Sequence, residues 1–260
     1  MPIRPWFARG SALVALLLSC ASAAQAQTQT QTLVQVEPAA DSRFVLDFGI
    51  GIDPSINGNI NSGAIGALQG QAAAILPSSY GDVYGTGVQL RFGAGYTLNE
   101  YSELRGVFTY QSADADLVRL GDVGASSLYG QYSDYKSLSL DFGYRRYFQI
   151  RVPGLRVYGE GTVGIAAIDR INLLLAAPQS NIVFDNTDFY DGTAALTLGL
   201  NGGALFRISD HVDLNAQIGL RRVSGMAEVD SLIGTDLEDI NNDTSRLTFP
   251  IVIGVRFRFN

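Results

Sequence analysis

Within Asp239-Ile240-Asn241-Asn242-Asp243, oxygen-bearing side chains recur with the D-x-N-x-D spacing that opens a calcium loop. The pattern then stops. No glycine follows, and Pro250 stands where a bidentate glutamate would be needed at position twelve. Asp239, Asn241 and Asp243 are therefore a candidate metal site on spacing alone. Loose bridging of divalent cations and a merely solvated acidic face are the plainer alternatives. Other chemistry is constrained more sharply: His211 is the one histidine and Cys20 the one cysteine. That excludes a Cys/His metal cluster, a disulfide scaffold and any mechanism needing two histidines. No catalytic residue and no cofactor are expected.

A second set of chemically capable residues is larger. Asp47, Glu103, Asp141 and Glu160, with Arg91, Arg105, Arg145, Arg156, Arg221 and Arg256, all fall on the polar phase of segments whose other phase is apolar. Side chains at alternate positions of a strand share a face, so acids and bases of this set would look into one interior. Buried charges must be paired. The planar guanidinium suits that task, because it binds carboxylates in a bidentate way and stays charged. The chain has 18 basic residues, and only Lys136 among them is a lysine.

Eight segments carry the alternation: 43–52, 87–96, 103–111, 137–145, 155–165, 196–207, 212–221 and 246–259. In the last, Leu247, Phe249, Ile251, Ile253, Val255, Phe257 and Phe259 make one unbroken apolar face. A soluble sandwich would bury such faces against each other, whereas a membrane barrel turns them to lipid and its charges to the lumen. Connection lengths favour the barrel. The joins near 97–100, 149–154 and 208–211 are short, and those near 53–83, 113–134, 170–191 and 226–244 are long. Strict alternation of short and long is expected of periplasmic turns and extracellular loops. Phe44, Tyr96, Phe148, Phe206, Phe257 and Phe259 gather at the short-turn ends as one aromatic belt, and Tyr110 and Phe249, with Tyr132 and Tyr190 nearby, are candidates for the opposite one. The fold expected is all-β, an eight-stranded antiparallel up-and-down transmembrane barrel over 43–260.

Residues 1–26 read as a cleavable signal peptide. Arg4 and Arg9 precede an apolar core at 12–18, and Ala24-Gln25-Ala26 supplies the cleavage site. Leu17-Leu18-Ser19-Cys20 loosely matches a lipoprotein box as the alternative. Residues 27–42 form a polar periplasmic leader. The 260-residue chain carries a net charge of −7, which excludes nucleic acid as a partner.

The mature chain resembles the small Gram-negative outer-membrane barrels of the OmpA-like and OmpX-like group over 43–259. The most specific element is Gly254-Val255-Arg256-Phe257-Arg258-Phe259, which looks like the terminal assembly signal of that group. Gly254, Phe257 and Phe259 are its signature positions, and Asn260 departs from the usual final Phe. The resemblance implies an outer-membrane location, contact with outer-membrane lipid or lipopolysaccharide, and recognition by the outer-membrane assembly machinery. No peptidoglycan-binding domain of the OmpA type is expected after the barrel. Barrel enzymes of the outer membrane need a His near the outer rim, as their families imply, and His211 falls in a short turn at the other end. The chain is therefore read as non-enzymatic.

Two functional readings follow. In the first, an Arg–carboxylate network plugs the lumen, and the barrel serves envelope integrity or surface interaction through acidic loops with an extracellular ligand of unspecified kind. In the second, the same charges line a small passive channel. In the first long loop, 64–68 and 72–77 are apolar enough to form an amphipathic helix over the mouth, a folded lid, or an adhesive surface.

Overall fold

The computed structural model describes residues 43–229, 236–241 and 245–259. Eight antiparallel strands form its body. They are β1 (Phe44–Asn57), β2 (Thr86–Asn99), β3 (Ser102–Ala113), β4 (Tyr135–Phe148), β5 (Leu155–Ile168), β6 (Thr193–Arg207), β7 (Val212–Val223) and β8 (Ile251–Phe259). Each pairs with its neighbours in sequence, and β1 pairs with β8 in register from Phe44↔Phe259 to Ile52↔Ile251. The sheet is therefore a closed up-and-down barrel with no free edge. A short strand, Arg246–Thr248, precedes β8 and spans the same gap between β1 and β7.

Period-two alternation builds this body. Val45, Asp47, Val107, Asp141, Tyr158 and Val252 are buried inside, while Phe48, Ile50, Leu90, Phe142, Ile165 and Leu200 are exposed on the outer wall. The short turns use local polar chemistry. Asn99 Oδ1 accepts from the Tyr101 amide at 2.9 Å, and Gly154 takes a φ of +76° at the end of the β4–β5 join.

The long connections hold structure of their own. Residues 64–75 form a β-hairpin and not a helix, Ala64–Leu68 pairing with Gln71–Ile75. Gln69 and Gly70, both at positive φ, turn it. Two further hairpins, Leu117–Val123 with Ser126–Tyr132 and Ile171–Ala177 with Ile182–Asp191, join it in one seven-stranded sheet that ends in Ala227–Glu228. The Ala72-Ala73-Ala74 run favours helix intrinsically, but Ala73, Ala74 and Ile75 pair with 121–123 of the next hairpin, and that tertiary pairing overrides propensity. Of the three sequence expectations for this loop, the helix is the one overturned; Leu68, Ala73 and Ile75 are buried, and Ile65 and Leu76 are exposed.

The hydrophobic core lies in this cap. Ile60, Leu120, Leu128, Ile171, Leu173, Ile182, Tyr190 and Val223 belong to one buried cluster. The short helix α1 (Tyr80–Tyr84) adds Tyr80, Val83 and Tyr84 to it. This corrects the expectation for two of the aromatics near the long-loop end, whereas Tyr110 is exposed on the outer wall. Tyr132 and Tyr190 are buried in the cap, where Tyr190 Oη donates to the Ile60 carbonyl at 2.7 Å and Tyr132 Oη accepts from Asn61 Nδ2 at 3.0 Å. A buried hydroxyl needs such a partner, and these tyrosines found theirs between loops. At the short-turn end Phe44, Phe148, Phe206, Phe257 and Phe259 are exposed on the outer wall, and Tyr96 is half-buried there.

Candidate functional site

The interior of the barrel is filled by ions. Three carboxylates (Asp47, Glu103 and Glu160) meet three guanidiniums (Arg105, Arg145 and Arg256), all buried. Arg105 is the hub: its Nη2 donates to Asp47 at 2.6 Å, its Nη1 donates to Glu160 at 2.8 Å, and its Nε lies 3.4 Å from Glu103. Arg145 Nε donates to Glu160 at 2.8 Å, and Arg256 donates to Glu103. Tyr147 Oη donates to Glu103 at 2.9 Å and accepts from Arg256 Nη1 at 2.7 Å. Equal numbers of each charge make the cluster neutral, which is the condition for holding ions out of water.

The strand registers explain the convergence. Arg145 faces Glu103 on β3 and Glu160 on β5, and Asp47 faces Arg256 across the β1–β8 seam. Space for the hub comes from β2, where a Cβ on Gly93 would fall 2.7 Å from Arg105 Nη2. The glycine is there because the guanidinium is.

Two further pairs flank the cluster. Asp141 lies 3.6 Å from Arg221 and accepts from Thr197 and, at 3.0 Å, from Ser139. Arg258 lies 3.2 Å from Asp213. Sequence reasoning left Asp213 and Arg258 out of the network, although both sit on the polar phase of their strands. Their register was the missing information.

Two of the ten expected network residues do something else. Arg156 stacks on the Tyr147 ring, its Cζ 3.8 Å from the centroid, and donates to the Glu100 carbonyl at 3.2 Å. Arg91 has no carboxylate within ion-pair distance among the described residues. It borders a 20 Å³ internal void with Asp47, Arg105, Asn215 and Gln217. The tyrosines were also missed: Tyr158 supports Arg145 by a cation–π contact of 3.6 Å and donates to Asn215 at 2.7 Å.

Above this charged layer the cap closes the long-connection end. Tyr80, Tyr84 and Tyr135 pack ring to ring, and Arg246 Cζ lies 4.4 Å over the Tyr135 ring. The loops are tied together by backbone bonds, Ser62 N to Ile240 O at 2.8 Å and Leu76 N to Leu120 O at 2.6 Å. Burial pushes the phenols of Tyr84 and Tyr132 above the ordinary value near 10. An unfolded cap would ionise them earlier, so they leave cap stability untouched below about pH 10 and reduce it as pH rises further. In an alkaline titration followed at 295 nm, tyrosinate from these two should appear together with loss of the loop hairpins. A gradual rise with the hairpins intact would show that the phenols reach water in the folded cap.

The calcium-like run is divided. Residues Glu238–Asn241 form a 3-10 turn in which Asp239 is exposed, while Asn241 is buried and donates through Nδ2 to the Phe189 carbonyl at 2.9 Å. Asp243 lies outside the described residues, as do 1–42 with the signal peptide, Cys20 and the leader. Of the assembly-signal positions, Phe257 and Phe259 are outward-facing and exposed, and Gly254 pairs with Gly49 on β1. His211 is exposed in the short β6–β7 turn.

No protein-family model matches this chain, and no curated protein does. Among solved structures, Neisserial surface protein A is 15% identical, with 84% of this chain and 98% of that one covered at a TM-score of 0.44. OprG from Pseudomonas aeruginosa is 14% identical, with 84% and 95% covered at 0.45. The attachment invasion locus protein of Yersinia pestis, crystallised with the heparin analogue sucrose octasulfate, is 12% identical, with 83% and 99% covered at 0.35. By its own strand pairing the chain is a closed eight-stranded up-and-down β-barrel, and OprG, one of the structures it is similar to, is an outer membrane protein.

Proposed function

We propose that this protein is a non-conducting outer-membrane barrel that serves the envelope as a structural or surface-contact element, its long loops facing outward. The observation that carries this reading is double closure: a neutral ion cluster fills the barrel, and a hydrophobic core fills the cap above it. An eight-stranded barrel is only wide enough for side chains to fill it, and here they do.

Membrane placement is supported by the outer wall. Strands of 12 to 15 residues in β2–β7 exceed the nine to eleven that cross a bilayer. Their outward Phe, Ile and Leu side chains cover the wall far beyond the few hundred Å² of apolar patch a soluble monomer tolerates. In the same reading residues 1–26 direct export, 27–42 form a periplasmic leader, and Gly254, Phe257 and Phe259 present the last strand to the assembly machinery. The acidic loops then meet solvent, and their tips carry any contact with other molecules.

The test is single-channel recording of refolded residues 27–260 in a planar bilayer, after an unheated gel has shown the heat-modifiable folded band. The expected result is no current. Steady, reproducible openings that change when Arg105 or Glu103 is neutralised would overturn the closed-lumen reading in favour of a small channel.

A further inference from the structure

Outward-facing positions along β7 run Leu214, Ala216, Ile218, Leu220 and then Arg222, so an apolar stripe ends in an exposed guanidinium on the long-connection side. Arg222 lies directly across from Leu247, which lies across from Asn57 on β1. Around this row the wall is indented by a recess of about 380 Å³, to which Asn57, Asn59, Arg222 and Ser245 contribute. On the long-connection side the other exposed bases each have a carboxylate nearby. Arg119 lies 2.7 Å from Asp122, Arg170 lies 3.1 Å from Asp191, and Lys136 lies 4.0 Å from Asp134. Arg222 has no carboxylate within that range among the described residues. Lower on the wall a shallow apolar groove of about 570 Å³ starts at the seam, at Ile253 and Ile50, and runs across β2 to β3 past Leu90, Phe92 and Phe108.

We propose that the β8–β1 seam binds one anionic lipid, its headgroup phosphate on Arg222 in the polar recess and an acyl chain in the groove below. This rests on the membrane placement proposed above. Charge complementarity selects the occupant. A guanidinium that no carboxylate among the described residues neutralises, at the top of an apolar wall, faces the depth at which a lipid carries its phosphate, and a bidentate guanidinium–phosphate contact is among the stronger charge-assisted pairs. Asn57, Asn59 and Ser245 add the donors that remaining phosphate oxygens need. A free phosphate shares the headgroup chemistry but leaves the groove unused, so binding should require both parts.

The test is native mass spectrometry of the refolded barrel in detergent with dioleoylphosphatidylglycerol, dioleoylphosphatidylcholine or inorganic phosphate. The wild type should retain phosphatidylglycerol about tenfold better than phosphatidylcholine, the factor expected of one charge-assisted contact. Arg222→Ala should abolish that preference, and Lys136→Ala should leave it intact. Equal retention of the two lipids, or a preference that survives Arg222→Ala, would overturn the proposal. So would an Arg222-dependent phosphate adduct as strong as the lipid's, which would make this an anion site without a lipid. Failure of the folded barrel to insert into phosphatidylcholine vesicles would remove the membrane placement and this site together. Insertion without lipid preference would remove the site alone.

Discussion

Replacing Glu160 with alanine should lower the stability of the refolded barrel by about 3–5 kcal/mol, the range for removing one partner from a buried ion cluster. Glu160 accepts from Arg105 and Arg145, each at 2.8 Å, and both arginines are buried. Its removal leaves two carboxylates against three guanidiniums, all buried. The loss of one charged contact is the smaller part of the effect, and the uncompensated charge is the larger. Urea titration of refolding, read by the fraction of heat-modifiable band, provides the measurement. Asp122→Ala is the contrast, since the Arg119–Asp122 pair is about half exposed and should cost no more than about 0.5 kcal/mol. Equal losses in the two variants would show that water reaches the lumen cluster.

Leu128→Ala should destabilise the cap by about 2–5 kcal/mol while leaving the barrel folded. Leu128 is fully buried in the cap core, on a hairpin that pairs with a neighbour on each side. Its truncation opens a cavity at the centre of the cap sheet. Hydrogen exchange should then accelerate in 117–132 and 171–177, with barrel amides keeping wild-type protection. Exchange that rises equally in β3, β4 and β5 would mean that cap and barrel unfold as one cooperative unit.

The barrel was legible in the sequence because period-two alternation and the alternation of connection lengths are both written locally. The ion cluster was legible as composition: acids and arginines on the polar phase had to face one interior. Its pairing was not, because which arginine meets which carboxylate depends on register, and register is a property of two strands. Arg156 illustrates this. It has the same pattern as Arg145, but it lies further toward the short-turn end, where Tyr147 offers a ring face. The cap was illegible for another reason. Its strands are short, its first turn is Gln69-Gly70 in place of an Asn-Gly signal, and its alanines favour helix in isolation. Only contacts between loops distant in sequence make those segments strands. Tyr132 and Tyr190 read as belt residues for the same reason, since a tyrosine at a strand end looks alike whether it meets lipid or a neighbouring loop.

The seam between the first and last strands sets the order in which this molecule can be made. Seven of the eight strand pairings join neighbours in sequence and can zip as the chain becomes available, but Phe44 must wait for Phe259. Until then the ribbon has two unsatisfied edges, each a template for another copy of the chain. The slowest event in maturation is thus the one that hides both edges, because the longest loop closes last. Truncation of 251–259 would leave every earlier pairing available, and the arrested product should be an edge-to-edge polymer of open sheets rather than an unfolded chain.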